Sequence, residues 1–319
     1  VFSKSDGNFP NAMIRGDRGN FVGTTTYGGT NNLGAVFKLT SQGRESIIFS
    51  FSSGTGEYPE DLSKDDAGNL YGVSYYTGAG GACCGLVFKI APDGTETTFY
   101  SFHGGSDGAN PAAGLIRDEA GNFYGTTFFG GGGNECGWQP PSGCGTVYKL
   151  APDGTETVLY AFAGGSDGSN PQTRLTLDSA GNLYGSTYLG GSNEWGVVFK
   201  LAPNGVQTVL HSFSGGADGR SPGKVHFIDN SGKIYGTAFF GGNTGCGGIG
   251  CGTIFSLAPD GTLRVLHTFS DGSDGAWPNP ELTYDGHGTL YGTTQLRGGG
   301  ACSEGCGTVF KLSPASSHP

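Results

Sequence analysis

The stretch "AGNLYG" at residues 67–72 decides how the rest of the chain is read. It returns as "AGNFYG" at 120–125 and as "AGNLYG" at 180–185. Looser copies run from Gly19 to Gly23, from Gly232 to Gly236 and from Gly288 to Gly292. Aligned on the glycine after the aromatic, the six copies fall at Gly23, Gly72, Gly125, Gly185, Gly236 and Gly292, spaced by 49, 53, 60, 51 and 56 residues. A propeller blade of four strands takes about 40–50 residues, so the period predicts one blade per copy with the excess in loops.

The third copy shows the order within a unit. "AAGLIRD" (112–118) reads as a short strand, "EAGN" as a hairpin turn and "FYGTTFF" (123–129) as a second strand. After a long Gly-rich loop, "GTVYKLA" (145–151) alternates like a third strand, "PDGT" turns, and "ETVLYAF" (156–162) is a β-branched and aromatic fourth strand. No segment carries a helical period. The expectation is an all-β chain, residues 1–319 forming one six-bladed β-propeller domain with four antiparallel strands per blade. The chain ends on a third strand, "GTVFKL" (307–312), and begins with "VFSKSDGNFP", which matches the end of a fourth strand plus its exit loop. Val1, Phe2 and Ser3 are therefore expected to close the last blade, and so short a strand implies residues upstream of Val1. An open β-solenoid is the rival architecture.

Composition narrows the function classes. Glycine supplies 64 of 319 residues, but 21 Phe and 14 Tyr argue against disorder. The net charge is −10, with no Lys/Arg cluster to face phosphates, so nucleic acid is not an expected partner. No apolar run reaches the roughly 20 residues of a membrane span, and no leader segment is read.

The whole pattern, "GNLYGTT…GG…GTVFKL.PDG.ETVLYSF.GG.DG.NP", resembles the GloVer-type tandem repeats of secreted bacterial proteins over essentially the full chain. That resemblance implies the repeat architecture and no settled activity.

Eight cysteines, Cys83, Cys84, Cys136, Cys144, Cys246, Cys251, Cys302 and Cys306, all fall between the second and third strands of a blade. The simple inference is four local disulfides, 83–84, 136–144, 246–251 and 302–306, and hence an oxidising, extracellular setting. Each pair sits on a different blade, which argues against zinc, and one carboxylate per "SDG" loop is too few ligands for calcium. No metal or cofactor is expected. The recurring Asp6, Asp107, Asp167, Asp218 and Asp274 read as turn formers, and the recurring Lys38, Lys89, Lys149, Lys200 and Lys311 as structural. His211 and His267 stand where Tyr100 and Tyr160 stand in other blades.

The long loops should gather on one face, which makes that face the candidate for function. Trp138, Trp195 and Trp277 lie in such loops, as do Tyr58 and Glu57, and aromatic faces beside carboxylates and amides suit sugar rings. First strands should line a central channel. Counting four residues from the preceding proline gives an apolar set, Ile14, Leu115, Leu175 and Leu282, with His226 as the exception. The alternate set, including Glu60, Gln172, Asn279, Arg174 and Glu281, then faces the channel. Tyr58, Trp138, Trp195, Trp277, Gln172 and Asn279 are the candidate ligand-binding residues.

Three functions stay open. One is a secreted carbohydrate-binding propeller. Another is a polysaccharide-cleaving enzyme, with Glu60 and Glu281 as a carboxylate pair or with Arg174 and Tyr58 or His226 serving a lyase. The last is a structural subunit of a surface layer or filament, joined through an unpaired strand edge. No nucleophile elbow, zinc-protease motif or phosphate loop is present.

Overall fold

The glycine that ends each repeat copy leaves space for an aromatic ring from the next strand. In the computed structural model, which describes residues 7–76, 83–132, 136, 142–229, 231–299 and 305–313, Gly72 is in register with Phe88, Gly125 with Tyr148 and Gly236 with Phe255. A Cβ on Gly23 would sit 2.7 Å from the Phe37 ring, and one on Gly236 2.6 Å from Phe255. Phe37, Phe88, Tyr148, Phe199 and Phe255 are fully buried. The repeat writes its phrase so that the tip of one ring per blade can come up against bare backbone.

The fold is an all-β, six-bladed β-propeller. The chain divides into two compact units, residues 1–163 with 170–175, and residues 164–169 with 176–319. The first unit holds three antiparallel sheets. Sheet one runs Asn8–Arg15, Phe21–Tyr27, Ala35–Leu39 and Glu45–Ser50; sheet two runs Glu57–Lys64, Leu70–Tyr76, Leu86–Ile90 and Glu96–Ser101. In sheet three the first strand is split into Ala109–Pro111 and Ile116–Arg117, followed by Phe123–Phe129, Thr146–Leu150 and Glu156–Ala161. The second unit holds Leu183–Leu189, Val197–Leu201 and Gln207–Ser212 of sheet four, then sheet five (Arg220–Ile228, Ile234–Phe240, Thr253–Leu257, Leu263–Thr268). Sheet six shows three strands among the described residues, Ala276–Tyr284, Leu290–Leu296 and Val309–Leu312. The expected closing strand, Val1 to Ser3, lies outside the described residues.

The apolar count from the proline needs correction. Register shifts follow Pro10, Pro59, Pro222 and Pro278 in the first strands. A bulge of this kind changes which residue faces inward. In sheets two and five the buried residue opposite the repeat glycine is therefore Leu62 or Val225, three residues after the proline. His226 is not an exception in an apolar row, because the row passes through Val225; the His226 side chain lies outside the described residues.

The "D..GN.Y" turn is closed by its aspartate. Asp118 accepts from the Asn122 backbone N–H (2.8 Å), the Asn122 side-chain amide (2.7 Å) and the Tyr124 hydroxyl (2.9 Å). Asp65 and Asp178 repeat this arrangement with Asn69 and Tyr71, and with Asn182 and Tyr184. Although burial opposes it, these hydrogen bonds hold the three carboxyls below the usual carboxylate range. A folded-state pKa below the unfolded value contributes stability above about pH 4 that is lost as pH falls through the folded value. The melting temperature is expected to fall on acidification below about pH 4, and Asp118→Asn to flatten part of that fall.

The recurring Asp of "SDG" and the recurring Lys are structural too. Asp107, Asp218 and Asp274 accept from the backbone N–H four residues earlier, and from Tyr100, His211 or His267 seven residues earlier. Lys89, Lys200 and Lys311 lie 5.7–5.9 Å from the ring centroids of Tyr71, Tyr184 and Tyr291.

Consecutive blades are joined at the residue before each proline. Phe9, Tyr58, Asn110, Asn170, Ser221 and Trp277 all hold φ between +52° and +58°. In the joints within a unit, this residue's N–H donates to the carbonyl preceding the previous blade's third-strand glycine. Tyr58 donates to Leu33 (3.1 Å), Asn110 to Cys84 (2.8 Å), Asn170 to Cys144 (2.8 Å), Ser221 to Trp195 (2.9 Å) and Trp277 to Cys251 (2.9 Å). Bonds 83–84, 136–144 and 246–251 are present, so the staples hold the carbonyls on which the following blade is hung. Cys302 lies outside the described residues, and with it the fourth pairing.

Candidate functional site

The left-handed residue before the proline is where the blades stop being alike. Asparagine tolerates that backbone region, and Asn110 and Asn170 turn their amides inward onto the carbonyls of Tyr75 and Phe128. Phe9, Tyr58 and Trp277 put a large ring in the same strained place. Such strain costs about 1 kcal/mol or more and persists where something else requires it.

In the first unit the requirement is a run of rings. Phe9 meets Tyr27 at 5.8 Å between centroids, Tyr27 meets Tyr58 at 5.1 Å, Tyr58 meets Tyr76 at 5.8 Å, and Tyr76 meets Tyr75 at 4.8 Å. Every pair is edge-to-face, the arrangement that ring quadrupoles favour. Phe9 is 64% exposed and Tyr27 38%, and the three other rings are half-buried. Tyr27 and Tyr76 are the last residues of second strands, and Tyr75 is the last but one.

Two carboxylates flank the row. Glu57 pairs in register with Tyr76, and its charge helps raise the Tyr58 hydroxyl pKa after the larger effect of burial. Glu60 stands two residues beyond Tyr58. Burial first, and the neighbouring Asp61 charge second, push its carboxyl up to about 7. The Tyr75 hydroxyl is pushed to about 12 by burial, with Tyr76 and Glu60 adding to it. Among the described residues no hydrogen bond or ion pair reaches the Glu60 carboxyl. Asp61, by contrast, takes Arg174 at 2.8 Å, and the other Arg174 nitrogen donates to the Ser63 hydroxyl at 3.2 Å. Gly114 makes room for this pair, since a Cβ there would lie 2.5 Å from the Asp61 side chain.

A half-buried carboxyl without a partner is a stability cost. Its folded pKa lies above the unfolded value of about 4.3, so stability is lost as pH rises from there towards 7. Glu60→Gln is expected to raise the melting temperature at pH 8 and to leave it nearly unchanged at pH 4.5. An equal effect at both pH values would show that the carboxyl is not strained by its charge.

The residues singled out from the sequence fall in different places. Arg174 is joined to Asp61, not to Glu60. Glu281, in the second unit, holds Lys224 through both oxygens at 2.8 and 2.9 Å. Gln172 is half-buried in the first unit. Asn279 is hydrogen-bonded to Thr293 (2.7 Å) and Gln295 (3.2 Å). Trp195 packs on the backbone of Gly215 and carries the Arg220 guanidinium 4.5 Å from its ring. Arg220 also covers Phe240 (5.2 Å), which meets Trp277 at 5.8 Å, and Phe239 stacks on Trp277 at 5.7 Å. This brings Trp195 and Trp277 into one run in the second unit. Trp138 lies outside the described residues. Phe9, Tyr27, Tyr75, Tyr76 and Asp61 were not singled out. The signal for the first four was visible in "NFP", "TTTYGG" and "VSYYTG", where other blades write Asn-Pro or Phe-Phe.

A propeller of six repeat-built blades is thus the class of protein that fold and loops define. The chain belongs to the Gloeobacter/Verrucomicrobia repeat family, whose model matches residues 1–139 and 136–318. No curated protein matches it in sequence. In structure it is similar to the PQQ-bound aldose sugar dehydrogenase of Streptomyces coelicolor (12% identity, 96% of this chain and 94% of that one, TM-score 0.59). It is also similar to a gluconolactonase of Xanthomonas campestris (13%, 97% and 88%, TM-score 0.53). A Bacteroides uniformis protein described as a 6-phosphogluconolactonase is a further likeness (16%, 89% and 77%, TM-score 0.56). At these identities the likeness is one of fold. No helix among the described residues is long and apolar enough to cross a membrane.

Proposed function

We propose that this chain is a secreted, extracellular carbohydrate-binding propeller, and that glycans lie along the row Phe9, Tyr27, Tyr58, Tyr76 and Tyr75. The observation that carries this reading is the row itself, five rings in succession with exposed members, held in part by aromatics in a strained backbone position. Sugar rings pack on aromatic faces and bond to tyrosine hydroxyls and carboxylates, so the row offers both parts of such a contact. The sugar-related structural neighbours agree with this reading, and disulfides agree with an oxidising compartment. All 319 residues are taken as a single functional propeller.

A glycan array probed with the purified protein tests the proposal. Saturable binding to oligosaccharides, lost in Tyr27→Ala/Tyr76→Ala, is the expected result; an array without hits would end it. Glu60 also gives the enzymatic reading a specific foothold, because a carboxyl poised near neutral pH can exchange a proton with a glycosidic oxygen. New reducing ends appearing on any array hit, and vanishing in Glu60→Gln, would convert the binder into a glycan-cleaving enzyme.

A further inference from the structure

The aromatic row is flanked by two carboxyls, Glu57 and Glu60, with which no described group on the chain forms a hydrogen bond or ion pair. Glu57 and Glu60 flank Tyr58 in sequence and act electrostatically on the rings at either side, Glu57 on Tyr58 and Glu60 on Tyr75. Nearby cations are committed elsewhere. Arg174 is bound to Asp61, and Lys64, four residues beyond Glu60, reaches Asp17 at 2.6 Å. The whole chain is acidic, with a net charge of −10. Glu60 is half-buried and has no hydrogen-bond or ionic partner among the described residues. Aromatic faces attract cations through their quadrupoles, and a half-buried carboxylate next to such faces attracts them further.

From this arrangement, and resting on the glycan-binding reading above, we propose that the row is selective for glycans bearing protonated amino groups, that is, polymers of de-N-acetylated amino sugars. The sugar rings lie on Tyr27, Tyr58 and Tyr76, while an ammonium group sits between Tyr75 and the Glu60 carboxylate with Glu57 adding to the field. A neutral acetamido sugar of the same backbone brings no charge to Glu60. An ammonium does, and in accepting it Glu60 must give up the proton that burial makes it keep at mildly acid pH. Binding is therefore coupled to proton release.

Isothermal titration of the full chain at pH 6, in two buffers of different ionisation heat, tests this. The probes are chitosan hexasaccharide, its fully N-acetylated counterpart, cellohexaose and hexalysine. The expected result is at least about tenfold tighter binding of the chitosan probe than of the acetylated one, with close to one proton released per site. Glu60→Gln is expected to abolish the proton release and to narrow the preference to within about threefold. Hexalysine, with charge but no sugar ring, is expected to bind at least about tenfold more weakly than the chitosan probe. Equal affinity for the acetylated and free-amine sugars, or hexalysine binding as tightly as chitosan, overturns the selectivity proposal and leaves the aromatic row standing. Failure of every saccharide to bind overturns the selectivity and the carbohydrate-binding reading together.

Discussion

Gly72→Ala is expected to destabilise the protein by about 2–3 kcal/mol, although it adds one methyl group. Gly72 lies in register with Phe88, whose ring is fully buried against the bare backbone, and the carbonyl of Asp61 stands 3.0 Å from where the new Cβ would be. Neither neighbour can retreat cheaply. The carbonyl belongs to a strand, and the ring makes edge-to-face contact with Phe51 at 4.9 Å. Denaturant unfolding measures the loss. Adding Phe88→Leu removes the ring tip that the methyl strikes, so the two changes together should cost at least about 1 kcal/mol less than their sum. Strict additivity, or a loss below about 0.5 kcal/mol for Gly72→Ala, would mean that the repeat glycine is not a packing device.

Tyr58→Asn should do the opposite, sparing the fold and removing function. Asparagine already occupies the equivalent left-handed position as Asn110 and Asn170, where φ is +56° and +58° against +54° at Tyr58. Relief of backbone strain offsets the lost contacts with Tyr27 and Tyr76, so stability is expected to change by less than about 1 kcal/mol. The row of rings proposed to bind glycans, by contrast, loses its middle member. Stacking of one ring contributes about 1.5 kcal/mol, so affinity for any oligosaccharide found on the array should fall at least about tenfold. Melting and titration of the same preparation separate the two effects. A large drop in stability with unchanged affinity would recast Tyr58 as a core residue.

Much of the fold was legible because it is written six times. Spacing gave the blades, Gly/Asn turns gave the hairpins, and three of the four disulfides fall between the cysteines expected, with the fourth outside the described residues. The bulge after the proline was not legible, because proline precedes Leu62 and Val225 by three positions and Leu282 by four, each opposite its repeat glycine. It moves the inward position by one residue in two blades and so placed His226 wrongly in the apolar row. The candidate site was legible only in part. Tyr58 and Glu60 stand out locally, but Tyr75 reaches them from the next strand of the same sheet and Tyr27 from the neighbouring sheet, so only the fold brings them together. Arg174 stood out as a break in the repeat, while its partner Asp61 did not, because a pair separated by 113 residues leaves no local trace. Gly114 is the one sequence hint, a small residue that opens space for the Asp61 side chain.

The central claim is that sugars lie on the row of rings in the first unit. Calorimetric titration of the best array oligosaccharide into the wild type and into Tyr27→Ala/Tyr58→Asn/Tyr76→Ala tests it most directly, with cooperative melting of both proteins as the control. The account predicts a saturable isotherm for the wild type and none for a still-folded triple variant. Identical isotherms for the two, or a loss of binding caused instead by Trp195→Ala or Trp277→Ala, would contradict it.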